Sequence, residues 1–157
     1  MLLVGTANPR GQPSDGTYNG LWYTSDELSS LVQSGSLRGI PVKAEHTGSN
    51  VGSVVSSFID PSGALQMVLD VSEDTVEGAI TNGLVRDGIA ADLSLGYTVD
   101  VAHSDTENKL KAGQKRLLEV SIVRKGAREK CQIHAIEDEG QAIKFMQGSN
   151  PWSAFNL

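Results

Sequence analysis

Residues 91–99 read Ala-Asp-Leu-Ser-Leu-Gly-Tyr-Thr-Val, so that Leu93, Leu95, Tyr97 and Val99 alternate with Asp92, Ser94, Gly96 and Thr98. That alternation commits the stretch to a β-strand with one apolar and one polar face. Ser94 and Gly96 share the polar face. A glycine within a strand marks a place where another group comes close to the backbone. A serine on a polar strand face is common; Ser94 gains interest only beside two other segments, one holding His46 and one holding Glu119.

The rest of the chain repeats the theme of short strands separated by turn-formers. Met1 to Ala7 reads as a strand and Asn8 to Gly20, rich in Gly, Pro, Ser, Asp and Asn, as a loop. Thr24 or Ser25 can cap a helix with Asp26 and Glu27 in its first turn, Leu28, Leu31 and Val32 on one face, and Gly35 at its end. Strands are predicted over Gly39 to His46, Val51 to Ile59 and Ala64 to Val71, the last two joined by a turn at Asp60-Pro61-Ser62-Gly63. A second helix is expected from Ser72 as cap, with Val76, Ala79, Ile80, Leu84 and Val85 recurring at helical spacing and Gly88 as stop. Lys115 to Lys125 is a further strand, with Leu118, Val120 and Ile122 on one face and Leu117, Glu119, Ser121 and Val123 on the other. Cys131 to Ile136 reads as a short strand or helical turn. The sum predicts an α+β, mainly β fold: about seven strands in a mostly antiparallel, closed or nearly closed barrel, with two to several helices packed outside.

A chain of 157 residues suits one domain. The formal net charge of −6 argues against nucleic acid as main partner, because phosphate binding needs a basic face. No apolar run approaches the roughly eighteen residues of a membrane span, and the start lacks the basic region of a signal peptide. One cysteine, Cys131, excludes an internal disulfide and reads as a small buried apolar residue, in keeping with a reducing compartment. An intracellular protein with no nucleic-acid or membrane partner is expected.

His46 lies at a strand end before the turn Thr47-Gly48-Ser49-Asn50, where an imidazole is open to proton exchange. Glu119 interrupts the apolar run 117–123, and a carboxylate there is costly unless paired. Taken alone, it also fits a charge that blunts an edge strand. Together, Ser94, His46 and Glu119 supply a nucleophile, a base and a group to orient the base from three separate strands. The turn at Gly126-Ala127-Arg128 can aim backbone N–H groups at an oxyanion. The three histidines, His46, His103 and His134, form neither an i, i+4 pair nor an H-E-x-x-H motif, so no metal and no cofactor is expected. His103 reads as a solvated loop residue and His134 as a strand histidine.

Pro41-Val42-Lys43-Ala44-Glu45-His46 followed by Val51-Gly52-Ser53-Val54 resembles the P-x-x-x-[DE]-H…[IV]-G-x-V segment of the viral capsid-maturation proteases, a superfamily joining herpesvirus assemblins to tailed-phage prohead proteases. Leu93-Ser94-Leu95-Gly96-Tyr97 is similar to the S-[IL]-G-[FY] nucleophile strand of the phage members, and Leu118 to Val123 to their E-V-S-[LI]-V strand. Glu119 stands where herpesvirus members carry a second histidine, which is nearer the phage pattern. Gly126-Ala127-Arg128 is similar to the herpesvirus G-R-R oxyanion turn, nearer the eukaryotic-virus side. The resemblance spans about Ile40 to Ile136.

That resemblance implies a herpesvirus-protease-like fold and a serine endopeptidase that cleaves scaffold or capsid precursor proteins, and itself, during procapsid assembly. It implies Ser94 as nucleophile, His46 as base and Glu119 as orienter. The backbone N–H of Ala127 would face the oxyanion, with Arg128 holding a water against it. It also implies a homodimer within the procapsid, in the host nucleus for a herpesvirus-type protein or the cytoplasm for a phage-type one. Residues 1–136 would form the catalytic domain. Residues 137–157, opening on the acidic Glu137-Asp138-Glu139-Gly140, would be an extension with a cleavage site near Ser153-Ala154. The competing expectation is a barrel without catalysis that binds virion or scaffold protein.

Overall fold

A computed structural model describes residues 1–9, 23–46, 48–99, 115–126 and 131–137. In chain order its elements are β1 (Leu2–Asn8), α1 (Ser25–Ser34), β2 (Pro41–Ala44), β3 (Asn50–Ile59), β4 (Leu65–Val71), α2 (Val76–Arg86), β5 (Asp92–Val99), β6 (Lys115–Val123) and β7 (Ile133–Glu137). The seven strands form one sheet in the order β5-β6-β2-β3-β4-β1-β7. Each pairing is antiparallel except β2 with β6, which is parallel. The mainly β, mostly antiparallel fold with helices accords with the sequence.

The expected barrel does not close. At one end the two sheet edges meet: Asp92 bridges Gln132, the Leu93 N–H donates to the Cys131 carbonyl (2.7 Å) and the Ile133 N–H to the Ala91 carbonyl (2.9 Å). Beyond that point Ile133–Glu137 pairs with β1 instead, and the Gln132 carbonyl also accepts the Thr6 N–H (2.9 Å). Among the described residues no further ladder joins β5 to β7, so the sheet curls into a half-barrel.

Alternation decides which side of the sheet each residue fills. Leu3, Val42, Val54, Leu65, Met67, Leu69, Leu93, Val120 and Ile122 meet in one core with Leu28 of α1. Val4 and Val68, one step out of phase with Leu3 and Leu69, form a small second cluster with Leu2, Val55 and Phe58. Where β1 passes β5 the core is thin. A Cβ added at Gly5 would lie 2.7 Å from Leu93 Cδ1, so the missing side chain seats the apolar face of β5 against β1. Cys131 is buried, as expected, its thiol 3.6 Å from the Ala7 carbonyl.

At ten residues α1 is too short to persist alone. Thr24 accepts the Glu27 N–H and Glu27 accepts the Thr24 N–H, a reciprocal capping box. The Glu27 carboxylate also takes the Lys115 ammonium at 2.7 Å, a buried ion pair fastening α1 to the start of β6. Two expectations for α2 are corrected. Its cap is Thr75, whose hydroxyl accepts the Gly78 N–H, while Ser72 caps only the preceding turn through Asp74 N–H. Its buried face is Gly78, Thr81, Asn82 and Val85, leaving Val76 72% and Ile80 58% exposed. Asn82, buried, donates to the Val71 and Ser72 carbonyls at the end of β4, which fixes the helix's rotation against a pattern of apolar residues that would have turned it otherwise.

Candidate active site

The sheet order makes β5, β6 and β2 neighbours, so the segments bearing Ser94, Glu119 and His46 lie side by side. Ser94 is opposite Ser121 and Gly96 opposite Glu119 across the antiparallel β5–β6 pair, while Lys43 and Ala44 of β2 lie beside Ser121 and Ile122. Because β6 is an interior strand, Glu119 is not the edge charge it resembles in isolation.

β2 ends two residues before His46, earlier than expected. Glu45 adopts φ 57°, in the left-handed region that costs a residue with a Cβ about 1–2 kcal/mol. Its N–H still donates to the Ile122 carbonyl (3.1 Å), and its own carbonyl accepts the Gly48 N–H (3.1 Å). The chain thus leaves the line of β2 under constraint from both sides and carries His46 on the turn. Backbone strain of this kind persists where the surroundings over-determine it, as functional sites do.

The three side chains meet. The Ser94 hydroxyl lies 2.8 Å from His46 Nε2, and His46 Nδ1 lies 2.6 Å from Glu119 Oε1. A carboxylate offers only lone pairs, so the proton between these two belongs on Nδ1, which leaves Nε2 to accept from the serine hydroxyl. The imidazole is 45% exposed while the Glu119 side chain is only 10% exposed. The imidazole faces solvent, and the carboxylate sits behind it. This is the arrangement by which a serine is activated in many unrelated folds.

The glycine expected to admit a close neighbour does so. A Cβ on Gly96 would stand 2.0 Å from Glu119 Oε1, so the carboxylate occupies the space a side chain would fill. The far oxygen, Oε2, accepts the Ser121 hydroxyl at 2.5 Å. Ser121 is fully buried and was assigned no role from sequence, although its position two residues after Glu119 puts both on one strand face. A bulge separates them from the start of β6. Gly96 pairs with Glu119 but Tyr97 pairs with Leu117, leaving Leu118 as the extra residue, 44% exposed. Leu117 therefore joins the core side with Val120 and Ile122, and Leu118 leaves it, contrary to uninterrupted alternation.

Just past the C-terminal end of β6 the Gly126 N–H donates to Asp92 Oδ2 (2.8 Å), tying Gly126 to the base of the serine strand. Asp92 is the second residue that sequence reasoning missed; nothing in its local pattern points across 34 residues to Gly126. Ala127, Arg128, His103 and residues 138–157 lie outside the described residues, and of His134 only the backbone, in β7, is described.

A family model for the caudovirus prohead serine proteases matches residues 30–145 of the 157. The matched span contains β2 through β7, and with them His46, Ser94, Ser121 and Glu119. A comparison with curated proteins gave no match. With most of its length, and every member of the hydrogen-bonded trio, inside the matched region, the chain belongs to the caudovirus prohead serine protease family.

Proposed function

We propose that this protein is the endopeptidase that cuts scaffold or capsid precursor protein during procapsid maturation, with Ser94 as nucleophile, His46 as general base and Glu119 as its orienter. The observation that carries the reading is the unbroken relay from Ser94 Oγ to His46 Nε2 (2.8 Å) and from His46 Nδ1 to Glu119 Oε1 (2.6 Å). Ser94 Oγ attacks the scissile carbonyl carbon while its proton passes to Nε2. The imidazolium so formed is stabilised by the Glu119 carboxylate, which keeps no proton of its own. Collapse of the tetrahedral intermediate breaks the C–N bond, and Nε2 returns the proton to the leaving amine. Water then enters by the same route in reverse and frees Ser94 from the acyl group.

The oxyanion is assigned to the backbone N–H of Ala127, with Arg128 holding a water against it. This fits the neighbouring bond, because Gly126 N–H is already committed to Asp92. Residues 1–136 are assigned to the catalytic unit and 137–157 to an extension that the enzyme trims near Ser153-Ala154. The working form is assigned as a homodimer in the procapsid interior, within the bacterial cytoplasm; specific activity that stays constant on dilution to monomer would remove the dimer.

Incubation with the scaffold protein of its own virus, followed by mass spectrometry, tests the function and reads self-cleavage in the same spectrum. Wild-type protein should yield discrete fragments and Ser94→Ala none. Tight binding of scaffold with no cleavage by wild type would instead make the chain a binding module.

A further inference from the structure

We propose that Ser121 is a positioning residue for the reaction, acting on His46 only through Glu119; this rests on the assignment of Ser94, His46 and Glu119 above. Glu119 Oε1 serves His46, and that single contact leaves the carboxylate free to rotate about its last side-chain bond. The Ser121 hydroxyl on Oε2, at 2.5 Å, removes that freedom. Hydrogen bonds to an ionised acceptor are the short, strong kind.

The surroundings of Ser121 give it this one task. It is 0% exposed, so neither substrate nor bulk water reaches it. Its cross-strand neighbours are Ser94 in β5 and Lys43 in β2, which places it directly between the strand of the nucleophile and the strand that leads to the base. On the opposite side of the carboxylate the bare backbone of Gly96 closes the slot. Glu119 is thus gripped between a glycine that fixes where Oε1 lies and a serine that fixes the carboxylate plane. A buried hydroxyl whose sole described partner is the Glu119 carboxylate is poorly explained by packing, which alanine would satisfy as well.

The test is a double-mutant cycle read with a fluorophosphonate, which forms an Oγ–phosphorus bond at the activated serine as fluoride leaves and the hydroxyl proton passes to the base. Ser121→Ala should slow labelling of Ser94 and lower kcat on cleaved scaffold by roughly 10- to 100-fold, the range seen when the outer partner of a metal-ligating side chain is lost, with KM unchanged. In a Glu119→Gln background the same change should cost less than about twofold, because interaction energies vanish when the shared partner is gone. Ser121→Cys, close in size but a poor donor, should show the same loss and serves if the alanine variant does not fold. Wild-type rates in Ser121→Cys or Ser121→Ala, or an equal loss in both backgrounds, would overturn the role of Ser121 while leaving the triad intact. Labelling or cleavage that survives Ser94→Ala would overturn the triad itself.

Discussion

Gly96 sets the geometry of the site at the scale of single residues. Its strand position and its lack of a side chain were legible as an invitation to a close neighbour, and Ser94, His46 and Glu119 were legible as chemically matched types on separate strands. The identity of the neighbour was not legible, because pairing Gly96 with Glu119 depends on a register between segments 23 residues apart in sequence. Ser121 was placed on the right face, yet a list of faces does not say which oxygen of a carboxylate is already taken. Gly96→Ala tests this packing. A methyl 2.0 Å from Oε1 must displace the carboxylate, so kcat should fall by at least the factor that Glu119→Gln costs, with stability lowered by about 1–3 kcal/mol from overpacking. A variant that keeps the wild-type rate in a peptide or scaffold assay would show that Glu119 does not have to lie there.

Among the elements, the turn after β2 and the bulge in β6 do the positioning, and both break simple periodicity. Strict alternation put Leu118 with Val120 and Ile122, but the bulge expels it and brings Leu117 to the core instead, while Glu119 and Ser121 keep the face they share with Ser94. No local signal announces a bulge in Leu117-Leu118-Glu119. A turn at Thr47 to Asn50 was legible, but its start at Glu45 was not, since Glu45 has none of the preference for left-handed backbone that glycine or asparagine has. Its side chain is exposed, so substitutions there act through the backbone. Glu45→Gly should relieve the left-handed cost and leave kcat within a few-fold. Glu45→Val, whose branched side chain tolerates φ 57° poorly, should lower both the melting temperature and kcat. The prediction fails if the valine variant matches wild type by calorimetry and by scaffold cleavage.

For the whole molecule, the count of strands and their mostly antiparallel pairing followed from alternation and turn-formers, whereas closure of the barrel did not. β7 goes to β1 after one bridge to β5, a choice made by long-range pairing that no segment encodes alone. The half-barrel is fastened elsewhere by the buried pair Glu27–Lys115; the Lys115 ammonium also lies 5.2 Å from the centre of the Tyr23 ring, which meets Tyr97 edge to face. Removing one partner strands a buried charge. Lys115→Met should destabilise by about 3–5 kcal/mol, roughly 10 °C in melting temperature for a chain of this size. Adding Glu27→Gln, which keeps the capping acceptor, should recover most of the loss; a double variant no more stable than the single one would contradict this. The proposed activity requires an assembled triad, and intact-mass measurement after treatment with a fluorophosphonate tests for one most directly. Wild-type protein should gain one adduct, mapped to Ser94, while His46→Ala should label slower by about 10⁴-fold or more and Ser94→Ala should not label at all. An unmodified wild-type mass, or an adduct that persists in Ser94→Ala, would contradict it.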